Sequence, residues 1–596
     1  MNRPIRKVAV ALLVLLAAMF VNLNFVQVVK GNEYRNHPDN SRVLLAEYSN
    51  PRGQIVVQGT AIATSKSTKD ELKYLRTYPQ GPEYAAVTGS YSFVYGTNAM
   101  ENAENDVLSG NDNRLFGSQL ADLFTGRNPR GGSVELTLNK SAQDAAYKAM
   151  RSPDGTFRRG AVVALDPSTG AILALVSTPS YDPNQLSSHD SRTISHAYAC
   201  YSDLDTAQRK GESDAELEAR IAKQIAAREP DPRTKSKGCS DVPDDPTAFF
   251  KQNPRASGPM LNRAFNQLYA PGSVFKVIDS AAALKDGIKP TQSIPAPNSY
   301  WPLEPKRKDR CSASSSGACV ENFQGETCQN GTTATLAFAL AKSCNTAFAQ
   351  LVVTTKNGGK KITDQAKKFG FEDPYSGDPH NFCDPAGLTV PLGVCRSSPG
   401  STEDLADKAA LAQTSFGQRD VRMTPLQGAM ISAAVANGGT LMQPYLVQKE
   451  LGPNLSVLKN TDARQLSQAV DPSHDEDLKN LMFGVIENPE GTGGPARITD
   501  IPGVRVGGKT GTADTGFCVV GGKQGPCGDP AFQKGQDAPP HAWFSGFAMR
   551  DGNPKIAVAV IIENGGVNGS ETTGGLAAAP VAKAVMEAYL KSGAGR

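Results

Sequence analysis

A serine hydroxyl attacks an acyl carbon efficiently only when a neighbouring group takes its proton, and the run Ser273-Val274-Phe275-Lys276 offers such a pair. It comes after a Pro271-Gly272 turn and opens an apolar stretch. The i, i+3 spacing predicts a helix that carries hydroxyl and amine on one face, with the helix N-terminus adding positive potential at the nucleophile. Two more clusters supply compatible groups: Ser343-Cys344-Asn345 in a helical region, and Lys509-Thr510-Gly511-Thr512 in a run of strand-forming residues. Each cluster alone is commonplace, since an S-x-x-K or S-x-N in a long chain is more often a cap or a solvated face. Together they provide a nucleophile, two amines and a second hydroxyl.

Gly503 to Thr510 also satisfies G-x-x-x-x-G-K-[ST], the phosphate-cradling loop that must lead into a helix. The next twenty residues in the chain, GTADTGFCVVGGKQGPCGDP, are too rich in glycine to sustain one, so an ATPase is excluded.

The elements that must unite these clusters are legible in outline. From Gly160, GAVVALDPSTGAILALVST reads as two apolar runs joined by the turn Asp166-Pro167-Ser168-Thr169-Gly170, a hairpin signal. Residues 257–450 are mostly helical in pattern, and the C-terminal part returns to strands, VRVGGKTGTAD, HAWFSGFAMR and KIAVAVIIENGG, before a closing helix. Strands at both ends with helices between predict an α+β domain over residues 156–596, a mostly antiparallel sheet completed by its own C-terminus and flanked by helices. Upstream, residues 31–155 mix short strand-like runs with Gly/Pro turns, a smaller β-containing unit that ends as GGSVELTLNKSAQDAAYKAM, a strand passing through Asn139 into an amphipathic helix. Residues 186–256 are charged and poor in large apolar side chains. They predict a surface insertion with one exposed helix around SDAELEARIAKQIAARE.

A chain of 596 residues exceeds one ordinary core, in keeping with two or more units. A formal charge of +3 gives no general attraction for nucleic acid, and 39% hydrophobic residues with a mean hydropathy of −0.35 exclude a polytopic membrane protein. One segment departs from that average. Val8 to Val29 is apolar, comes after Arg3, Arg6 and Lys7 without an acidic residue, and would span about 33 Å as a helix. A cleaved signal peptide has a shorter apolar stretch, so residues 1–30 are expected to be a cytoplasmic tip and an uncleaved anchor, with everything beyond outside the cell.

Ten cysteines with no C-x-x-C pair, and only six histidines, argue against zinc and for disulfides in an oxidising compartment. Cys383 with Cys395, Cys518 with Cys527 and Cys200 with Cys239 are the pairings that spacing suggests, although sequence alone does not fix connectivity.

In the order S-x-x-K, S-x-N, K-T-G, the three clusters resemble those of penicillin-binding proteins and class A β-lactamases. The chain more specifically resembles the class B penicillin-binding proteins, in particular their shorter actinobacterial members, over nearly its whole length apart from the insertion. Arg52-Gly53-Gln54-Ile55, Arg76-Thr77-Tyr78-Pro79 and Tyr95-Gly96 to Glu101 look like that family's N-terminal blocks. Asn262-Arg263-Ala264, Pro271-Gly272-Ser273, Thr424-Pro425-Leu426-Gln427, Ala436-Asn437-Gly438-Gly439 and His541-Ala542-Trp543-Phe544 match its transpeptidase domain.

The resemblance implies a D,D-transpeptidase that cross-links peptidoglycan stem peptides through a serine acyl-enzyme and is inhibited by penicillin. Ser273 would be the nucleophile, Lys276 its base, and Ser343 and Asn345 a proton relay and substrate holder. Lys509 would supply positive charge near Ser343, Thr510 and Thr512 would bind the donor carboxylate, and the backbone N–H groups of Ser273 and Thr512 would form an oxyanion hole. Gly511 would avoid crowding the acyl group. Cys344 is either a small buried hydrophobe or a bridge to Cys328 that stiffens the site, the oxidising context favouring the bridge. His541 reads as structural rather than as a base. This chemistry needs no metal or organic cofactor. A membrane-embedded glycan polymerase, with the division or elongation machinery, is the expected partner, and too few residues separate the anchor from the Gly160 hairpin for a glycosyltransferase domain. Rival readings are a β-lactam-hydrolysing or β-lactam-sensing protein of the same fold, and a silent cell-wall scaffold.

Overall fold

The computed structural model describes residues 2–26, 30, 47–115, 117, 124, 130–152, 155–206, 209, 212–230, 237–243, 247–252, 257–307, 309–311, 319–373, 390, 392–520, 523–527, 536–565 and 572–593. Its centre is a five-stranded sheet built from β1 (Gly160–Leu165), β2 (Ile172–Thr178), β3 (Val504–Ala513), β4 (His541–Arg550) and β5 (Asn553–Ile562), in the order β3-β4-β5-β1-β2. Every neighbour is antiparallel, as expected. The β1–β2 turn closes on Gly170, whose φ of 83° lies in the left-handed region that glycine adopts without strain. The order leaves β3, with its Lys509-Thr510-Gly511-Thr512, on an open edge.

Side chains alternate along these strands, and both faces are covered. Val163, Ala559, Ile561, Trp543 and Phe547 join one core with the helix Pro425–Ala436, every residue of which is buried. Val162, Val558, Val560, Ala542 and Phe544 meet Ala142 and Ala146 of the helix Lys140–Ala149, its C-terminal cap Met150, and Val585 and Met586 of the closing helix Ala579–Lys591. The helix Lys140–Ala149 starts as the sequence suggests: the Asn139 side chain caps it by accepting from the Ala142 N–H.

The N-terminal unit holds a six-stranded sheet in the order Val457–Asn460, Val447–Leu451, Ser133–Leu136, Ile55–Val57, Thr60–Ser67, Tyr74–Thr77. Two of its strands therefore come from far beyond the boundary drawn at residue 155. The N-terminal motifs converge on one buried network. Arg52 and Arg76 each place Nε 2.6 Å from a Glu101 carboxyl oxygen, and Tyr78 donates its hydroxyl to Glu101 Oε1 at 3.1 Å. Burial alone would raise the Glu101 carboxyl, but the two guanidinium groups hold it below its ordinary value and keep it ionised.

The insertion departs from expectation. Among the described residues it carries three helices, Ser191–Tyr201, Asp214–Arg228 and Thr247–Gln252, not one, and the Cys200–Cys239 disulfide ties the first to the segment after the second. It packs against its surroundings: Tyr201 is fully buried, Tyr198 stacks on Tyr95 at 3.8 Å between ring centroids, and His189 pairs with Asp70 at 2.7 Å. A few aromatic anchors, diluted in a charged segment, account for the difference.

Disulfides also join Cys328 to Cys344 and Cys518 to Cys527, as the sequence suggested, and Cys311 to Cys319, a pair it did not single out. Cys395 is disulfide-bonded, while its suggested partner Cys383 lies outside the described residues. The N-terminal helix Asn2–Asn24 contains an apolar span, Arg6–Asn24, long enough to cross a membrane, and none of that span is buried against the other described residues. Residues 27–29, the end of the expected anchor, lie outside the described residues.

Candidate active site

Ser273 stands on a single 3₁₀ turn, Gly272–Phe275, and the α-helix begins only at Lys276 and runs to Lys285. The sequence expectation of one continuous α-helix is corrected, but its consequence survives, because three residues per 3₁₀ turn keep i and i+3 aligned. The turn is held from three sides. Gly272, at a φ of 54°, donates its N–H to the Gly417 carbonyl at 3.0 Å. The Trp543 indole donates to the Ala270 carbonyl at 3.0 Å, and Tyr269 and Met423 exchange backbone hydrogen bonds. Tyr269 also donates its hydroxyl to Glu563 Oε1 at 2.8 Å, and the same oxygen accepts from Arg263 Nε at 2.9 Å. The Asn262-Arg263-Ala264 motif thus fastens the approach to the turn onto the end of β5.

Lys276 is fully buried. Its amine donates to Asn345 Oδ1 at 2.7 Å and to the Ser343 carbonyl at 2.8 Å, and lies 3.3 Å from the Ser343 hydroxyl. Lys509, equally buried on edge strand β3, donates to the same Ser343 hydroxyl at 2.8 Å and to the Thr510 carbonyl at 3.0 Å. Ser343 can stand between the two amines because it caps the helix Leu336–Lys342 in a left-handed conformation, φ 65° and ψ 44°, uncommon for a residue with a Cβ. The Cys328–Cys344 disulfide pins the next residue. Asn345, at the start of the helix Asn345–Thr354, is oriented through its other amide atom, which donates to the Glu321 carbonyl at 3.0 Å.

Burial lowers the Lys276 amine well below the ordinary lysine value, the Lys509 charge pushes the same way, and Asp279 opposes both. Lys509 is lowered to about 7, also by burial. Two amines beside one hydroxyl, both holding a proton less tightly than an exposed lysine does, suit the transfer of a proton among the three groups.

Gly511 has a structural reason to lack a side chain beyond the crowding expected of an acyl group. A Cβ there would fall 2.6 Å from the Pro271 carbonyl oxygen and 3.0 Å from Trp543 Cβ, so it is the nucleophile's turn that would be displaced. Opposite, a Cβ on Gly272 would lie 2.6 Å from the Thr512 carbonyl oxygen, which sets the Thr512 backbone directly against the turn that bears Ser273. The Thr510 hydroxyl is 2.6 Å from that of Thr492, a residue that sequence reasoning did not single out. Thr492 also donates its N–H to the Ala341 carbonyl, tying β3 to the end of the helix that Ser343 caps. His541 Nδ1 accepts the Asn564 N–H at 3.2 Å, and burial lowers the ring to about 4, so one nitrogen is already engaged and the imidazole holds a proton only weakly.

Residues 160–587 match the family of the penicillin-binding protein transpeptidase domain, and residues 52–134 match the penicillin-binding protein A dimerisation domain. The chain is 40% identical over 594 residues to a protein of Mycolicibacterium smegmatis named peptidoglycan D,D-transpeptidase PbpA, covering all of both chains. It is 38% identical over 591 residues to the protein of the same name from Mycobacterium tuberculosis, covering 99% of each. In three dimensions it is similar to penicillin-binding protein A from M. tuberculosis in its penicillin G acyl-enzyme complex, with a TM-score of 0.67 and 36% identity, over 91% of this chain and 100% of that one. With a transpeptidase domain over most of its length behind a dimerisation domain, and full-length relatives well above 30% identity, the chain belongs to the penicillin-binding protein transpeptidase family.

Proposed function

We propose that this protein is a monofunctional, serine-type peptidoglycan D,D-transpeptidase. The observation that carries the proposal is the Ser343 hydroxyl flanked by two buried lysine amines, at 3.3 Å and 2.8 Å, the first of them one helical turn from Ser273. Ser273 Oγ attacks the carbonyl of the penultimate D-alanine while Lys276, whose burial weakens its hold on a proton and favours the free amine, takes the hydroxyl proton. The proton passes by way of Ser343 to the nitrogen of the terminal D-alanine as the peptide bond breaks, leaving an ester on Ser273. An amine from a neighbouring stem peptide then attacks that ester and loses a proton to Lys276, which returns it to Ser273 Oγ as the ester bond breaks, freeing the serine and leaving a new cross-link.

The oxyanion at each step is held by the N–H groups of Ser273 and Thr512, a type of contact worth roughly 3 kcal/mol per donor. Lys509 draws in the donor carboxylate. Of the two threonines, Thr512 is the partly exposed one available to that carboxylate, whereas the Thr510 hydroxyl is engaged by Thr492 and so fixes the strand. Penicillin enters as a donor mimic whose ring-opened acyl group has no departing fragment. The apolar N-terminal helix holds the enzyme in the membrane with its three preceding cations in the cytoplasm and the catalytic domain outside, beside a glycan polymerase.

Fluorescent penicillin tests the proposal: a stable adduct on the wild type that disappears in Ser273→Ala is expected. Rapid release of the hydrolysed label would instead make the protein a β-lactamase.

A further inference from the structure

The Lys509 amine and the Ser343 hydroxyl, 166 residues apart in the chain, meet at 2.8 Å. Strand β3, which carries Lys509, pairs with a neighbour on one side only, so its outer edge depends on contacts with what lies beyond the sheet. Thr492 bonds to both sides of the gap. It donates its N–H at 3.1 Å to the carbonyl of Ala341, two residues before Ser343, and its hydroxyl is 2.6 Å from that of Thr510, the residue after Lys509. The same hydroxyl is 3.5 Å from the Ala341 carbonyl, too far to compete with Thr510.

The neighbours of Thr492 bring it there. In Gly491-Thr492-Gly493 the loop clasps the end of the helix Pro472–Glu487 at one point: the Val485 carbonyl oxygen accepts the Gly493 N–H at 3.0 Å and would lie 2.4 Å from a Cβ on Gly491. On another side, the Thr492 carbonyl oxygen would lie 2.4 Å from a Cβ on Gly575, in the short helix Gly574–Ala577, so the loop has little room to retreat. Thr510 is 6% exposed, and its carbonyl accepts the Lys509 amine at 3.0 Å, so a displaced Thr510 takes that amine with it.

We propose that Thr492 is a positioning residue for the acyl transfer assigned to Ser273, a role that rests on that transpeptidase reading. It is a strut, fixed to the helix end at Ser343 and to β3 at Thr510, that sets how far Lys509 stands from Ser343. Proton transfer through Ser343 is sensitive to that distance, because small misplacements of reacting groups cost large factors in rate.

Second-order rate constants for acylation by fluorescent penicillin test the role. Thr492→Val and Thr492→Ala, which remove the hydroxyl with and without keeping its shape, are each expected to slow acylation about tenfold. Thr492→Ser, which keeps the hydroxyl, is expected to stay within threefold of the wild type. In a Thr510→Val background, Thr492→Val is expected to slow acylation less than twofold further, because the bond it removes is already gone. Melting temperatures confirm that each variant is folded. Acylation at the wild-type rate without the hydroxyl, failure of serine to rescue, or a full tenfold loss on top of Thr510→Val overturns the proposal. Acylation is timed before any label is released, so release of hydrolysed label, which would overturn the transpeptidase reading, leaves this result untouched, and so does the labelling of Ser273→Ala.

Discussion

Two lysine amines within hydrogen-bonding reach of the Ser343 hydroxyl, in a space shut off from water, are not both comfortably charged. Lys509, lowered to about 7, is cationic below that pH and neutral above it. If its charge draws in the donor carboxylate, acylation by penicillin G should weaken as pH rises through about 7, while a penicillin methyl ester, which lacks the carboxylate, should show no such alkaline decline. Stopped-flow acylation rates from mildly acidic to mildly alkaline pH check this, and parallel profiles for acid and ester would refute it. The S-x-x-K, S-x-N and K-T-G clusters were legible because each packs its chemistry into a few consecutive residues. Thr492 and Gly417 were not: each matters through contacts with distant parts of the chain, and nothing in their own neighbourhood announces it.

Elements show the same division. The Gly160 hairpin, the strand-to-helix passage at Asn139 and the C-terminal strands carry local signals, periodicity and turn residues, and the structure has them all. What the sequence does not reveal is which elements press on one another. The 3₁₀ turn of Ser273 and strand β3 are so close that Gly511 has no room for a methyl group. Gly511→Ala should therefore shift the turn by a fraction of an ångström and lower acylation about 10²-fold, the usual penalty for misplacing a reacting group. Its thermal unfolding should stay near that of the wild type; acylation at the wild-type rate would show that the turn yields without harm. The insertion teaches the converse lesson, since its charge content hides Tyr198 and Tyr201, which fasten it to the rest of the chain.

At the scale of the whole molecule, a near-neutral globular body is joined to a single apolar helix whose membrane-length span is not buried against any other described part of the chain. Deleting residues 1–30 should move the protein from the membrane fraction to the soluble fraction while leaving penicillin labelling of Ser273 intact; retention in membranes would point to another attachment. The pattern of strands and turns suggests a platform followed by a catalytic domain, but nothing in it announces that the six-stranded sheet takes strands from both sides of residue 155. Thr137 and Leu446 are 309 residues apart in sequence, yet the Thr137 hydroxyl donates to the Leu446 carbonyl where the two segments of the six-stranded sheet meet. During synthesis the first segment emerges long before its partner does, and until then the backbone of Ser133–Leu136 is an unfinished edge open to any passing strand. The order of synthesis thus makes the platform, among the first parts to be made, one of the last to be finished, and a chain cut short before residue 447 would lack the means to complete either half.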